Sequence, residues 1–128
     1  MKPVRIIILL IITLCANRQF TQAQTTLDKK PSTIIVTYGY IGCPCAEWII
    51  NNRYAKTINR EHIYLEPANN KLVDADSLVD GSHIVRIKIT GRFYKGKGYP
   101  KNYHPGKGNP DPARVFRYDK IRDISPAH

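Results

Sequence analysis

The sequence predicts one small domain, α+β or mainly β, and three observations carry that expectation. Runs rich in β-branched and aromatic residues stand at 33–41, 61–66 and 113–118, the composition of strands. Val85, Ile87, Ile89 and Phe93 alternate with Arg86, Lys88, Thr90 and Arg92, a period of two that turns one face of a strand to a core and the other to solvent. The chain is also short: with its first 24 residues read as an export signal, 128 residues leave about one domain with one modest core.

Lys2 and Arg5 precede an apolar stretch, 6–14, that is too short to span a bilayer. Cleavage is expected near Ala23, with Thr21 at the minus-three position. The expected organisation is a signal at 1–24, a polar leader at 25–32, the domain at 33–124 and a tail at 125–128. Cys15 opens a competing idea, a lipid anchor, although Leu14 stands where a lipoprotein signal needs a small residue. Export implies a periplasmic or secreted protein, and no transmembrane segment is expected in the mature chain. The signal takes away Lys2, Arg5 and Arg18 and no acid, so the formal charge falls from +10 to +7. A basic exported surface suits an anionic polymer or a partner protein with acidic groups, and it also serves solubility.

In chain order, 33–41 is the first strand, with Gly39 marking a bend. Pro44 then suits the first turn of a helix. Ile50, Tyr54 and Ile58 fall four apart, so a short helix is expected over 46–52, weakened by Asn51 and Asn52. The strand at 61–66 ends at Pro67. A polar stretch follows, in which Leu72 and Val73 are the candidates for buried contacts, and Asp80-Gly81 marks a turn. The alternating strand begins at Val85, and Gly91 interrupts its apolar face where a curved barrel needs a bend. From 94 to 112 the chain is rich in Gly, Pro and Lys, too long for an ordinary connection. Gly96-Lys97-Gly98-Tyr99-Pro100 is echoed by Gly106-Lys107-Gly108-Asn109-Pro110, read as two similar turns. The last main strand is 113–118, with 119–124 continuing it or fraying.

This layout resembles an OB-like small barrel, partly open, with one short helix after the first strand. The order strand, cysteine pair, helix also resembles thioredoxin-like domains. Those place two residues between the cysteines where Pro44 stands alone here, and they need more helices than the sequence offers.

Chemistry concentrates at Gly42-Cys43-Pro44-Cys45, whose two thiols are the pair left after signal removal. In an oxidising compartment they can close a small disulfide or brace the corner as buried thiols. They can bind a soft ion, Cu(I) or Zn(II), with help from His62, His83 or His104, none of which has ligand spacing to another. As a third reading, a cysteine at a helix start gains thiolate character and supports thiol-disulfide redox work.

A separate surface is expected in the 94–107 loop. Lys95, Lys97, Lys101 and Lys107 supply charge there and Tyr94, Tyr99 and Tyr103 supply flat faces, with Arg86, Lys88 and Arg92 extending the patch. That mixture suits anionic polymers or glycans, while export argues against nucleic acid. A solvated face with its tyrosines packed down is the structural alternative. Gly106-Lys107 is not a phosphate-binding loop, because Lys101 and Gly108 occupy positions that need a glycine and a hydroxyl. Ser32, Ser77, Ser82 and Ser125 lack a nucleophile-elbow context. Asp74, Asp76 and Asp80 lack the glycine and terminal glutamate of a calcium loop. The sequence therefore reads as an exported binding or accessory protein more than an enzyme. Soft-metal binding through Cys43 and Cys45 leads, and the anionic-ligand surface and the redox protein are the alternatives.

Overall fold

β-branched and aromatic runs can bury their apolar faces together only if each finds two neighbours, and a closed sheet gives every strand both. The computed structural model describes residues 26–40, 45–51, 60–104, 108 and 110–127. Its strands are β1 (Ser32–Tyr38), β2 (Trp48–Ile50), β3 (His62–Pro67), β4 (Arg86–Gly98) and β5 (Ala113–Asp123). They close into a barrel in the order β1-β2-β3-β5-β4, with β3 and β5 parallel and the other neighbours antiparallel. The partly open barrel expected from the sequence is thus corrected to a closed one. β1 pairs with β2 through Val36–Tyr38 and with β4 through Ser32–Thr37, leaving it no free edge.

Alternation fills the interior. Val36, Ile63, Ile87, Ile89, Phe116 and Tyr118 are fully enclosed, and burying each such side chain is worth about 1.5–3 kcal/mol. Phe93 meets Phe116 edge to face, with ring centroids 4.8 Å apart. A 3-10 turn, Ala75–Leu78, closes one end of the barrel. The Ala75 N–H donates to the Tyr118 hydroxyl at 3.1 Å, and that hydroxyl donates to the Val73 carbonyl at 2.6 Å. Leu72, Leu78 and Val79 pack on the core beside it, whereas the Val73 side chain is exposed, against the sequence expectation.

The helix expected over 46–52 is not formed: Trp48–Ile50 is β2, in register with Val36–Tyr38 on one side and Ile63 on the other. An aromatic and two β-branched residues in succession lose side-chain freedom in a helix and fit a pleated surface. Gly39 donates its N–H to the Glu47 carbonyl at 2.8 Å, which ties the ends of the β1–β2 connection together. Tyr54 and Ile58 lie outside the described residues.

β4 runs five residues past the boundary expected from composition, through the Gly- and Lys-rich stretch to Gly98. The first of the two expected turns, 96–100, therefore begins as strand. The second falls largely outside the described residues. β4 is creased at Gly91, where its register with β5 shifts. A Cβ there would lie 2.7 Å from the Tyr118 Cα and closer still to the Arg117 carbonyl oxygen, so backbone passes where a side chain would stand.

Gly91→Ala is expected to lower folding stability by about 1–3 kcal/mol or more, the cost of overpacking against backbone that cannot yield. Urea denaturation of the variant beside the parent checks it, and an unchanged midpoint would show that the crease does not need glycine.

Candidate functional site

Of the cysteine motif only Cys45 is described, and it lies beside the Tyr-rich segment, sharing a pocket with Tyr64 and Tyr103. Cys45 is half-buried at the end of the β1–β2 connection and is held in a disulfide; Cys43 lies outside the described residues. His62 is the predicted ligand that the fold brings to this corner, with its Nδ1 3.2 Å from the carbonyl oxygen of Ala46, the residue after Cys45. His83 instead faces Asp80 at 3.5 Å, and His104 lines a groove with Asp74 and Asp76. Among the described residues, no three His, Cys, Asp or Glu side chains converge as a closed metal site requires. Residues 48–50 are strand, so no helix begins within two residues of Cys45 to stabilise a thiolate there.

The tyrosines of the 94–107 segment build a second core on the outside of the barrel. Tyr94 is 6% exposed and packs with Ala46, Tyr64 and Val115, under Leu27, Tyr99 and Tyr103. Leu27 reaches this cluster because residues 26–28 lie along β4: the Asp28 N–H donates to the Phe93 carbonyl and the Lys95 N–H to the Thr26 carbonyl. Tyr99 and Tyr103 stack 5.1 Å apart, both tilted against Tyr64. Glu66 is buried beneath them. It accepts hydrogen bonds from the Tyr94 hydroxyl at 2.6 Å and the Lys101 N–H at 2.9 Å, and it lies 3.9 Å from Arg117. Burial first, and then the bond to Glu66, push the Tyr94 phenol up to about 12. The exposed stacking surface expected of Tyr94 is corrected to a packing role, since its ring is covered and its hydroxyl is spent on a buried carboxylate.

The cations, by contrast, face out. Residues 87, 89 and 93 point to the core, so Lys88, Thr90 and Arg92 point away from it, and β5 sets its own cations opposite them. Lys88 pairs with Arg122, Thr90 with Lys120 and Arg92 with Arg117. Like charges directly opposite across a ladder are destabilising. Lys88, Arg92, Lys120 and Arg122 are exposed and have no carboxylate partner among the described residues. Asp119 falls at the register shift and Asp123 is engaged with Ser125. At one end of this face, the Arg86 Nε is a buried donor without an acceptor among the described residues.

Lys95, Lys97 and Lys101 are also exposed; Lys107 lies outside the described residues. Lys97 pairs with Arg114, whose guanidinium sits 3.6 Å over the Phe93 ring and 3.0 Å from Glu61. Sequence reasoning missed the β5 half of the face. Its signal was the run of Arg114, Arg117, Lys120 and Arg122 inside the last strand.

Trp48 and Asp76 form a polar joint between the core and the barrel end. Trp48 is 2% exposed, and its Nε1 donates to the Asp76 Oδ1 at 2.8 Å. The Asp76 side chain borders a groove and is open on that side. Burial of its inner part raises its pKa, the Trp48 bond opposes the rise, and the nearby Asp74 adds to it.

No family model matches the chain, and neither a curated protein nor a solved structure is significantly similar to it. Among the described residues no helix is long and apolar enough to cross a membrane.

A carboxyl whose folded pKa exceeds its unfolded one stabilises the fold fully below the unfolded value. That contribution is lost as pH rises through the folded value. Asp76→Asn keeps an acceptor for Trp48 and does not titrate. The stability of the variant relative to the parent should therefore increase as pH rises from about 4 toward neutrality. Thermal melting of both proteins across that range checks it; a difference independent of pH, or one that shrinks, contradicts the assignment.

Proposed function

We propose that the chain is an exported binding protein whose β4–β5 face takes an anionic polymer. The observation that carries this reading is the cross-strand pairing of Lys88 with Arg122, with Arg92 and Lys120 exposed beside them and no carboxylate partner for any of the four among the described residues. A sheet that sets cations opposite one another forfeits the stabilisation that an acid on either strand would give. A linear polyanion laid along the ribbon restores it. Lys95 and Lys97 add exposed positive charge farther along β4, while Tyr94 acts beneath the surface as structure.

We read the barrel itself as OB-like. Five strands, a long creased strand and long connections at 39–47 and 99–112 support that reading.

The motif supports a second reading, in which the reduced thiols of Cys43 and Cys45 bind a soft ion and His62 is the third ligand. The position of the His62 ring beside Ala46 favours it over His83 and His104. Titration of the reduced protein with Cu(I) is expected to give a tight 1:1 complex that His62→Ala weakens about tenfold. Identical affinity in the variant would remove His62 from the site.

Binding of a sulfated polysaccharide such as heparin tests the leading reading. The logarithm of its affinity is expected to fall linearly with the logarithm of salt concentration. Lys88→Gln and Arg122→Gln should each reduce that slope by about one. Binding that ignores salt, or slopes unchanged in both variants, would sink the proposal.

A further inference from the structure

The groove beside the outer core differs in chemistry from the face just described. It has a volume of about 580 Å³, within the range of small-molecule sites. A smaller pocket of about 180 Å³ shares Leu65, Asp76, Pro100 and Tyr103 with it and extends to Cys45. One wall is the chain leaving β3, with Asn69 and Asn70, and the opposite wall is the turn after β4, with Asn102 and His104. Asp74 and Asp76 close the end nearest the 3-10 turn.

Each ligand class meets these walls differently. An anion is opposed by Asp74 and Asp76, and the two cations at the groove are not equivalent: Arg117 already donates to the Ala68 carbonyl at 3.0 Å and lies near Glu66, which leaves Lys101. A purely apolar ligand would strip water from three amides and two carboxylates without replacing their hydrogen bonds, a cost of about 1–3 kcal/mol for each group. A polyhydroxylated ring matches. Its hydroxyls both donate and accept, as asparagine amides do, and they donate to carboxylates. Its C–H faces can rest on Leu65, Pro67, Pro100 and the Tyr103 ring. The volume of the groove together with its smaller extension suits more than one ring.

We infer that this groove binds a neutral oligosaccharide, held between the Asn70 and Asn102 walls over the Tyr103 floor. The site is separate from the polyanion face and stands whether or not that face binds heparin.

The test is an NMR titration of the isotopically labelled full domain with three uncharged tetrasaccharides: cellotetraose, maltotetraose and the tetramer of N-acetylglucosamine. Saturable binding of at least one is expected, with shift changes at the amides of Asn70, Asn102 and Tyr103. The double variant Asn70→Ala, Asn102→Ala changes two exposed residues. It should keep the parent melting temperature and weaken binding about tenfold or more, whereas Lys88→Gln with Arg122→Gln should leave saccharide binding intact. Absence of saturable binding by all three sugars would overturn the inference. So would undiminished affinity in the asparagine variant, or shifts confined to β4 and β5 away from the groove.

Discussion

The crease at Gly91 is the constraint on which the other features depend. β4 must pair with β1 through its first half, keep β5 along its length, and then turn outward to present Tyr94 to a second cluster. A straight thirteen-residue strand cannot do all three, and the missing side chain at Gly91 lets the Arg117–Tyr118 backbone come close enough to bend it. The crease divides the ribbon into a half that closes the barrel and a half that projects beyond it.

Two cores follow from that division. Inside, the alternating residues of β1, β3, β4 and β5 pack around Ile87, Ile89 and Phe116. Outside, Tyr64, Tyr94 and Val115 pack under Leu27 and the stacked Tyr99–Tyr103 pair, with buried Glu66 held by Tyr94 and Lys101. The outer core takes up the Tyr94 ring and leaves Tyr103 to line the groove beside it. What remains for a partner is charge on the β4–β5 ribbon and the polar groove beside the tyrosines.

Much of the fold was legible in the sequence where one local rule governs. The alternation from Val85 gave β4 its inward and outward faces, and Pro67 marked the end of β3. β2 was not legible, because Pro44 and a four-residue spacing favoured a helix, while the neighbours that make Trp48–Ile50 a strand lie on distant segments. The same applies to the Trp48–Asp76 bond and to the Leu27–Tyr94 bridge, which join residues far apart in the chain. Of the candidate sites, the β4 cations were visible as a stripe. Their β5 partners became meaningful only once the register set Lys88 against Arg122. The three histidines could not be sorted by spacing; the fold sets His62 beside Ala46, His83 beside Asp80 and His104 at the groove.

On the proposed function, the β4–β5 ribbon forgoes stability for the sake of an anionic ligand. Lys88→Glu puts opposite charges where Lys88 and Arg122 now oppose each other, so melting temperature and heparin affinity are to be measured on that one variant. The variant should melt higher than the parent and bind heparin more weakly. A variant that melts higher and binds as well as the parent, or melts lower, would contradict the proposal.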